Sequence, residues 1–212
     1  MFTKSRRFVK LFDSRKGNLD ALLNKDFIHN GIVTIPCQIT DYHDIISHYS
    51  VKKYETLNTE FADFLNTSAE VTPDDCPLVL NIIGDCLSEE EKLTIRETIA
   101  EYYAYNLGLV EKDEKRHKRV FWGMIIGLLL SGILLWFTKA LADEPREIFF
   151  ILFWFMGDTL CDYIFLTGHD LRQNRRLAGR LASIKVLFSN SFEKPEYSEN
   201  DADKIYSEIE KM

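Results

Sequence analysis

The sequence predicts an α+β cytoplasmic domain fused to a two-helix transmembrane hairpin. Three observations predict it. Residues 120–137, VFWGMIIGLLLSGILLWF, run without a charged side chain. A second apolar run, residues 148–166, follows after the short link ADEPRE. Strand-like runs (IVTIPCQI, PLVLNIIG, SIKVLF) stand on both sides of this pair, in the more polar remainder of the chain.

The bulk numbers fit that division. Hydrophobic residues make up 46% and charged residues 28% of 212 residues, as expected for a polar domain joined to a small membrane part. The net charge of -7 argues against a nucleic-acid partner, which needs a basic surface. Cys37, Cys76, Cys86 and Cys161 form no C-x-x-C pair, so zinc-ribbon and thioredoxin-like readings lack support and free thiols are expected. The N-terminal MFTKSRRFVKLF is basic but has no apolar run of signal-peptide length, which places the N-terminal part in the cytoplasm.

Residues 1–111 form the expected domain. Asn30-Gly31 is a turn signal. In the strand after it, Val33, Ile35, Cys37 and Ile39 alternate with less apolar positions, and Pro36 predicts an edge or bulged strand. Tyr42, Ile45, Ile46 and Tyr49 have helical spacing, and residues 57–69 predict a short helix with Phe61, Phe64 and Leu65 on one face. Residues 77–84 read as a buried strand. Ser88 and Glu91 form a capping box that opens a helix carrying Ile95, Ile99, Tyr102 and Tyr103. That helix is expected to continue through the basic flank into the first span unless Gly108 interrupts it.

The middle unit, residues 112–180, holds the basic flanks and two spans at about 120–141 and 148–166. A bilayer core needs roughly 20 apolar residues per helix, and both runs reach that length. Pro145 and its acidic neighbours predict a tight, solvated turn between them. Trp122 and Trp136 stand near opposite ends of the first span, as interfacial aromatics do. Lys112, Lys115, Arg116, Lys118 and Arg119 precede the spans, and Arg172, Arg175, Arg176 and Arg180 follow them, against Lys139 and Arg146 on the link side. The excess puts both termini in the cytoplasm of a multi-pass plasma-membrane protein. In residues 181–212, the alternation of Ile184, Val186 and Phe188 predicts a strand returning to the N-terminal sheet. An acidic tail from Glu193 is expected to be mobile, with a short helix near its end.

This order of elements, with HDLRQNRR and SIKVLF after the hairpin, resembles small two-span membrane proteins of bacteria. The resemblance implies a bacterial plasma-membrane location and carries over no catalytic residue.

Asp158 and Asp162 are the most unusual residues. Four apart, they share a helix face, and Asp158 falls near the bilayer centre, where an acid costs about 2.5–3.5 kcal/mol on insertion scales. They are candidates for a proton or cation site or an oligomer contact, or for a snorkelling Asp162 beside a packed Asp158. A hairpin symmetric about its link would set Ser131 opposite Asp158. Gly123, Gly127 and Ser131 recur every fourth residue and offer a groove for close helix packing, with Gly157 on the second span as counterpart. Lys115, Arg116, Lys118, Arg119, Arg172, Arg175, Arg176 and Arg180 set topology and face anionic lipid head groups. Asp41, His43, Asp44 and His48 cluster, but the two histidines are five apart and share no helix face, so no metal site is expected. The absence of nucleotide, hydrolase and metalloprotease motifs leaves no catalytic residue or cofactor to name. The expected function is a membrane-anchored, non-enzymatic interaction module that contacts a protein partner or itself. The alternatives are an oligomeric effector or transport component using the two aspartates, and an enzyme acting on a membrane-associated substrate.

Overall fold

The computed structural model describes residues 28–137, 143–191 and 199–209. A small mixed α and β part carries two long apolar helices. Strands β1 (Ile28–His29), β2 (Ile32–Gln38), β3 (Leu78–Ile83) and β4 (Lys185–Ser189) form one sheet in the order β1-β2-β3-β4. β1 is antiparallel to β2, while β2, β3 and β4 run parallel. The β1–β2 turn holds Asn30 and Gly31 at φ values of 48° and 76°, in the left-handed region those residue types tolerate. Pro36 pairs with Asn81 on one side only; β1 ends its pairing at Val33, so among the described residues β2 is locally an edge where the missing N–H falls.

Leu78, Val79 and Leu80 are all buried because a central parallel strand is covered on both faces. On one face Val33, Ile35, Leu78, Leu80 and Ile82 meet α1 (Thr59–Glu70), the start of α2 (Glu89–Phe137) and α4 (Gly168–Ala182). Ile95, Ile99, Tyr103, Phe61, Leu65 and Leu181 complete that core. On the other face Ile32 and Val79 pack against Ile205 of α5 (Glu199–Ile209). The tail is therefore not wholly free: the charged helix at its end docks by one buried isoleucine, by Lys185 to Glu208 at 2.7 Å, and by the Tyr206 hydroxyl donating to the Gly31 carbonyl.

Local signals set the element ends. Asn58 accepts from the Glu60 amide, so α1 begins at Thr59 rather than at Leu57. The Ser88 amide donates to Glu91 at 2.8 Å and the Glu91 amide returns to Ser88 Oγ, closing the capping box. From there α2 runs unbroken through Gly108, roughly 73 Å at 1.5 Å per residue. The helix expected around Tyr42–Tyr49 is only a 3₁₀ turn, Tyr42–Asp44. Asp41 and Asp44 cap this turn, and Ile46 then leaves it to bridge Leu57, which ends the helical spacing. Tyr49 is 96% exposed.

The two apolar runs lie in one connection. The chain leaves β3, follows α2, returns along α3 (Asp143–Asp162), a π-helical turn (Tyr163–Thr167) and α4, and enters β4 beside β3. The whole hairpin is thus the crossover between two adjacent parallel strands, a connection normally made by one short helix. α3 already starts at Asp143, so Pro145 belongs to its first turn, where proline is tolerated. The end of the first expected span, residues 138–141, lies outside the described residues.

Candidate functional site

Both runs are long and apolar enough to cross a membrane, and they are exposed: 6% of the apolar window in α2 is buried and none of the corresponding window in α3–α4. Trp122, Trp154 and Phe165 are each more than 60% exposed. The helices touch along one seam. A side-chain carbon added at Gly127 would meet Met156 at 3.5 Å, at Gly132 would meet Phe153 at 3.6 Å, and at Gly157 would meet Leu128 at 3.8 Å. Gly127 and Gly157 therefore lie in the seam, whereas Gly123 has nothing within 4 Å and faces outward. Phe121 stacks on Tyr163 at 4.8 Å at the end of the seam nearest the domain.

Ser131 and Asp158 do not meet. Ser131 is buried in the seam and donates to the carbonyl of Leu128 on its own helix. The pairings of Gly132 with Phe153 and of Leu128 with Gly157 set Ser131 about one turn from the level of Asp158. Asp158 is exposed and stands two residues past Met156, about 200° round the helix from the seam. Asp162 lies about 240° from Met156 and is exposed as well. The two acids share a face, and it is the face turned away from α2. Because Leu128 and Gly157 each lie mid-way along their runs, Asp158 sits near the middle of the hairpin's length.

The basic residues sort into two groups. Along the α2–α4 seam they are paired: Lys118 reaches Glu114 at 2.7 Å, and Arg175 reaches Glu114 at 3.1 Å and Glu111 at 3.8 Å. The Lys118 hydrogen bond holds the Glu114 carboxyl below the usual range. On the other side of α2, Lys112, Arg116 and Arg119 stand on one face with Leu109, Asp113 and Val120. Lys115, Arg172 and Arg176 are exposed.

Arg180 departs from the expectation that it faces lipid. Its Nε donates to the Cys76 carbonyl at 3.0 Å, its Nη1 to the Ala69 carbonyl at 3.3 Å and its Nη2 to Thr72 Oγ1 at 2.8 Å, with Asp74 at 3.8 Å. A guanidinium offers a rigid fork of donors, and this one fastens α4 to the loop between α1 and β3. Burial pulls its pKa below the ordinary arginine value, opposed by Asp74. Its partners lie more than 100 positions away, so no local pattern marks it.

The Asp41–His48 cluster is used internally. Asp44 accepts from the amides of Thr40 and Asp41, which hold its carboxyl below the usual range. His43 stacks on His48 at 4.4 Å with its Nδ1 enclosed and unpartnered among the described residues. No group of three metal-ligating side chains gathers among the described residues. Burial, then Asp44, pushes the nearby Cys37 thiol up to about 11, which makes it a poor nucleophile. No protein-family model, curated protein or solved structure matches the chain.

Proposed function

We propose that this protein is a membrane-anchored cytoplasmic interaction module, non-enzymatic, with both termini inside and the 142–147 link outside. One observation carries the reading. α2 is a single helix whose first turns lie in the domain core, at Ile95, Ile99 and Tyr103, and whose last turns are apolar and exposed. Two adjacent exposed apolar helices leave a patch far larger than a soluble monomer keeps in water, and a bilayer covers it. The nine-to-two excess of cations near the domain side sets the orientation. Because the hairpin is a crossover of the sheet, the domain is held to the membrane at two points by helices, not by a flexible tether.

Cysteines placed one at a time at residues 143–147 of a cysteine-free variant should label from outside intact cells with an impermeant thiol reagent. Cysteines in the domain should label only after lysis. Labelling in the domain but not in the link would overturn the orientation, and extraction of the protein by alkaline carbonate would overturn the anchor.

The outward Asp158 and Asp162 favour a second reading, in which hairpins assemble through that face as an oligomeric effector or transport component. Facing lipid, Asp158 costs about 2.5–3.5 kcal/mol near the midplane; a second hairpin of the same orientation brings an identical carboxyl to the same depth. Two such acids can share a proton. On this reading Asp158→Leu should insert more readily yet shift nanodisc stoichiometry toward the monomer, whereas Asp158→Asn, which keeps hydrogen bonding, should retain assembly. Unchanged assembly in Asp158→Leu would leave the plain anchor.

A further inference from the structure

We propose that the face of α2 carrying Lys112, Arg116 and Arg119 is a binding site for an anionic phospholipid head group that carries a second phosphate beyond its phosphodiester. The inference rests on the membrane reading above and goes beyond its general attraction of lipids to a basic flank. A topology signal needs only a count of cations. Here the cations are divided by face.

Glu111, Glu114, His117 and Phe121 define the side of α2 turned to α4 and Tyr163. At 100° per residue, Lys112, Arg116 and Arg119 lie roughly 140–200° round from Glu114, on the opposite side. The acids of the seam bind Lys118 and Arg175; among the described residues only Asp113 shares the far face with Lys112, Arg116 and Arg119. Three cations less one acid leave two positive charges. Lys112 and Arg116 have no ion pair among the described residues. Arg119 bends back so that its Nε donates to the Lys115 carbonyl at 3.4 Å, which leaves its two terminal nitrogens for a ligand.

The spacing fits a membrane surface. Arg119 immediately precedes the apolar run, and Arg116 and Lys112 stand about 4.5 Å and 10.5 Å further from it along the helix. A phosphodiester at the bilayer surface meets Arg119 and Arg116, where a guanidinium gives paired donors. A second charged group projecting from the head group meets Lys112. Val120 at the membrane end of this face continues into the apolar run and accepts the start of an acyl chain.

The test uses the full chain in phosphatidylcholine nanodiscs containing a minority of phosphatidylinositol 4-phosphate or of phosphatidylglycerol, with bound lipid read by native mass spectrometry. The lipid with the added phosphomonoester should be retained in preference to phosphatidylglycerol, whose only charge is its phosphodiester. Lys112→Gln with Arg116→Gln should weaken retention about thirtyfold, because each position loses a charge-assisted contact to the head group. Arg172→Gln with Arg176→Gln removes the same charge from α4 and should change it less than threefold. Equal losses in the two variants would mean diffuse attraction and overturn the site, as would equal retention of the two lipids by the parent. Competition by inorganic phosphate as effective as that of the lipid would overturn the lipid source. Failure of the parent to enter nanodiscs of any composition would instead remove the membrane reading on which the site rests.

Discussion

Ending the chain after Arg180 should unfold the α and β part, even though every residue of the N-terminal domain remains. The deletion removes Leu181, which is 3% exposed in the core, and all of β4. Burying a leucine of this kind is worth about 2–5 kcal/mol, and the half-buried Val186 and Phe188 add about 1 kcal/mol each. It also strips β3 of one of its two neighbours, so the edge of an apolar parallel strand meets water. Phe188 further sits under Arg96 at 5.1 Å and Lys92 at 5.9 Å, so β4 clasps the start of α2. On the far face α5 goes as well, uncovering Ile32 and Val79. The combined loss is of the order of a whole domain's stability of about 5–15 kcal/mol. Amide hydrogen exchange in Leu78–Ile83 should rise to that of an unfolded chain; protection equal to the parent's would show that β4 is dispensable.

Arg180→Ala should destabilise the same part by about 3 kcal/mol without disturbing the apolar helices. Alanine leaves the Ala69 and Cys76 carbonyls and Thr72 Oγ1 short of a donor, and hydrogen bonds to a charged group are worth about 1.5–3 kcal/mol. Arg180→Lys should recover less than half, because one ammonium cannot serve three acceptors on a rigid fork. Urea denaturation of the detergent-solubilised protein, followed by fluorescence of a probe on the 69–76 loop, gives the midpoints. A loss below about 1 kcal/mol for alanine would show the fork to be incidental. The variant also asks whether α4 is coupled to the domain: loosening of the loop without loss of α4 would place the joint at Arg180.

The elements whose evidence is local were legible in the chain. The charge-free run of eighteen residues was readable as a long apolar helix, and the structure places it in one, because length and apolar composition are properties of the window itself. The Ser88–Glu91 cap and the Asn30-Gly31 turn were readable for the same reason: their hydrogen bonds and dihedrals close within four residues. The helical spacing at Tyr42–Tyr49 misled because a carboxylate cap and a bridge to Leu57 outweighed propensity over so short a stretch.

What the tertiary structure decided is direction and partnership. Periodicity puts Asp158 and Asp162 on one face, but only the seam through Met156, Phe153 and Tyr163 turns that face outward. A count of cations gives Lys118, Arg175, Arg180 and Arg116 equal weight, yet two are spent on the α2–α4 seam, one is sunk into the domain and one stands on the outer face of α2. The parallel placement of β4 beside β3, which makes the hairpin a crossover, joins segments separated by 106 positions at Val79 and Lys185. Such pairings depend on which loops can close and which faces remain to be covered, quantities that belong to the assembled chain and not to any window of its sequence.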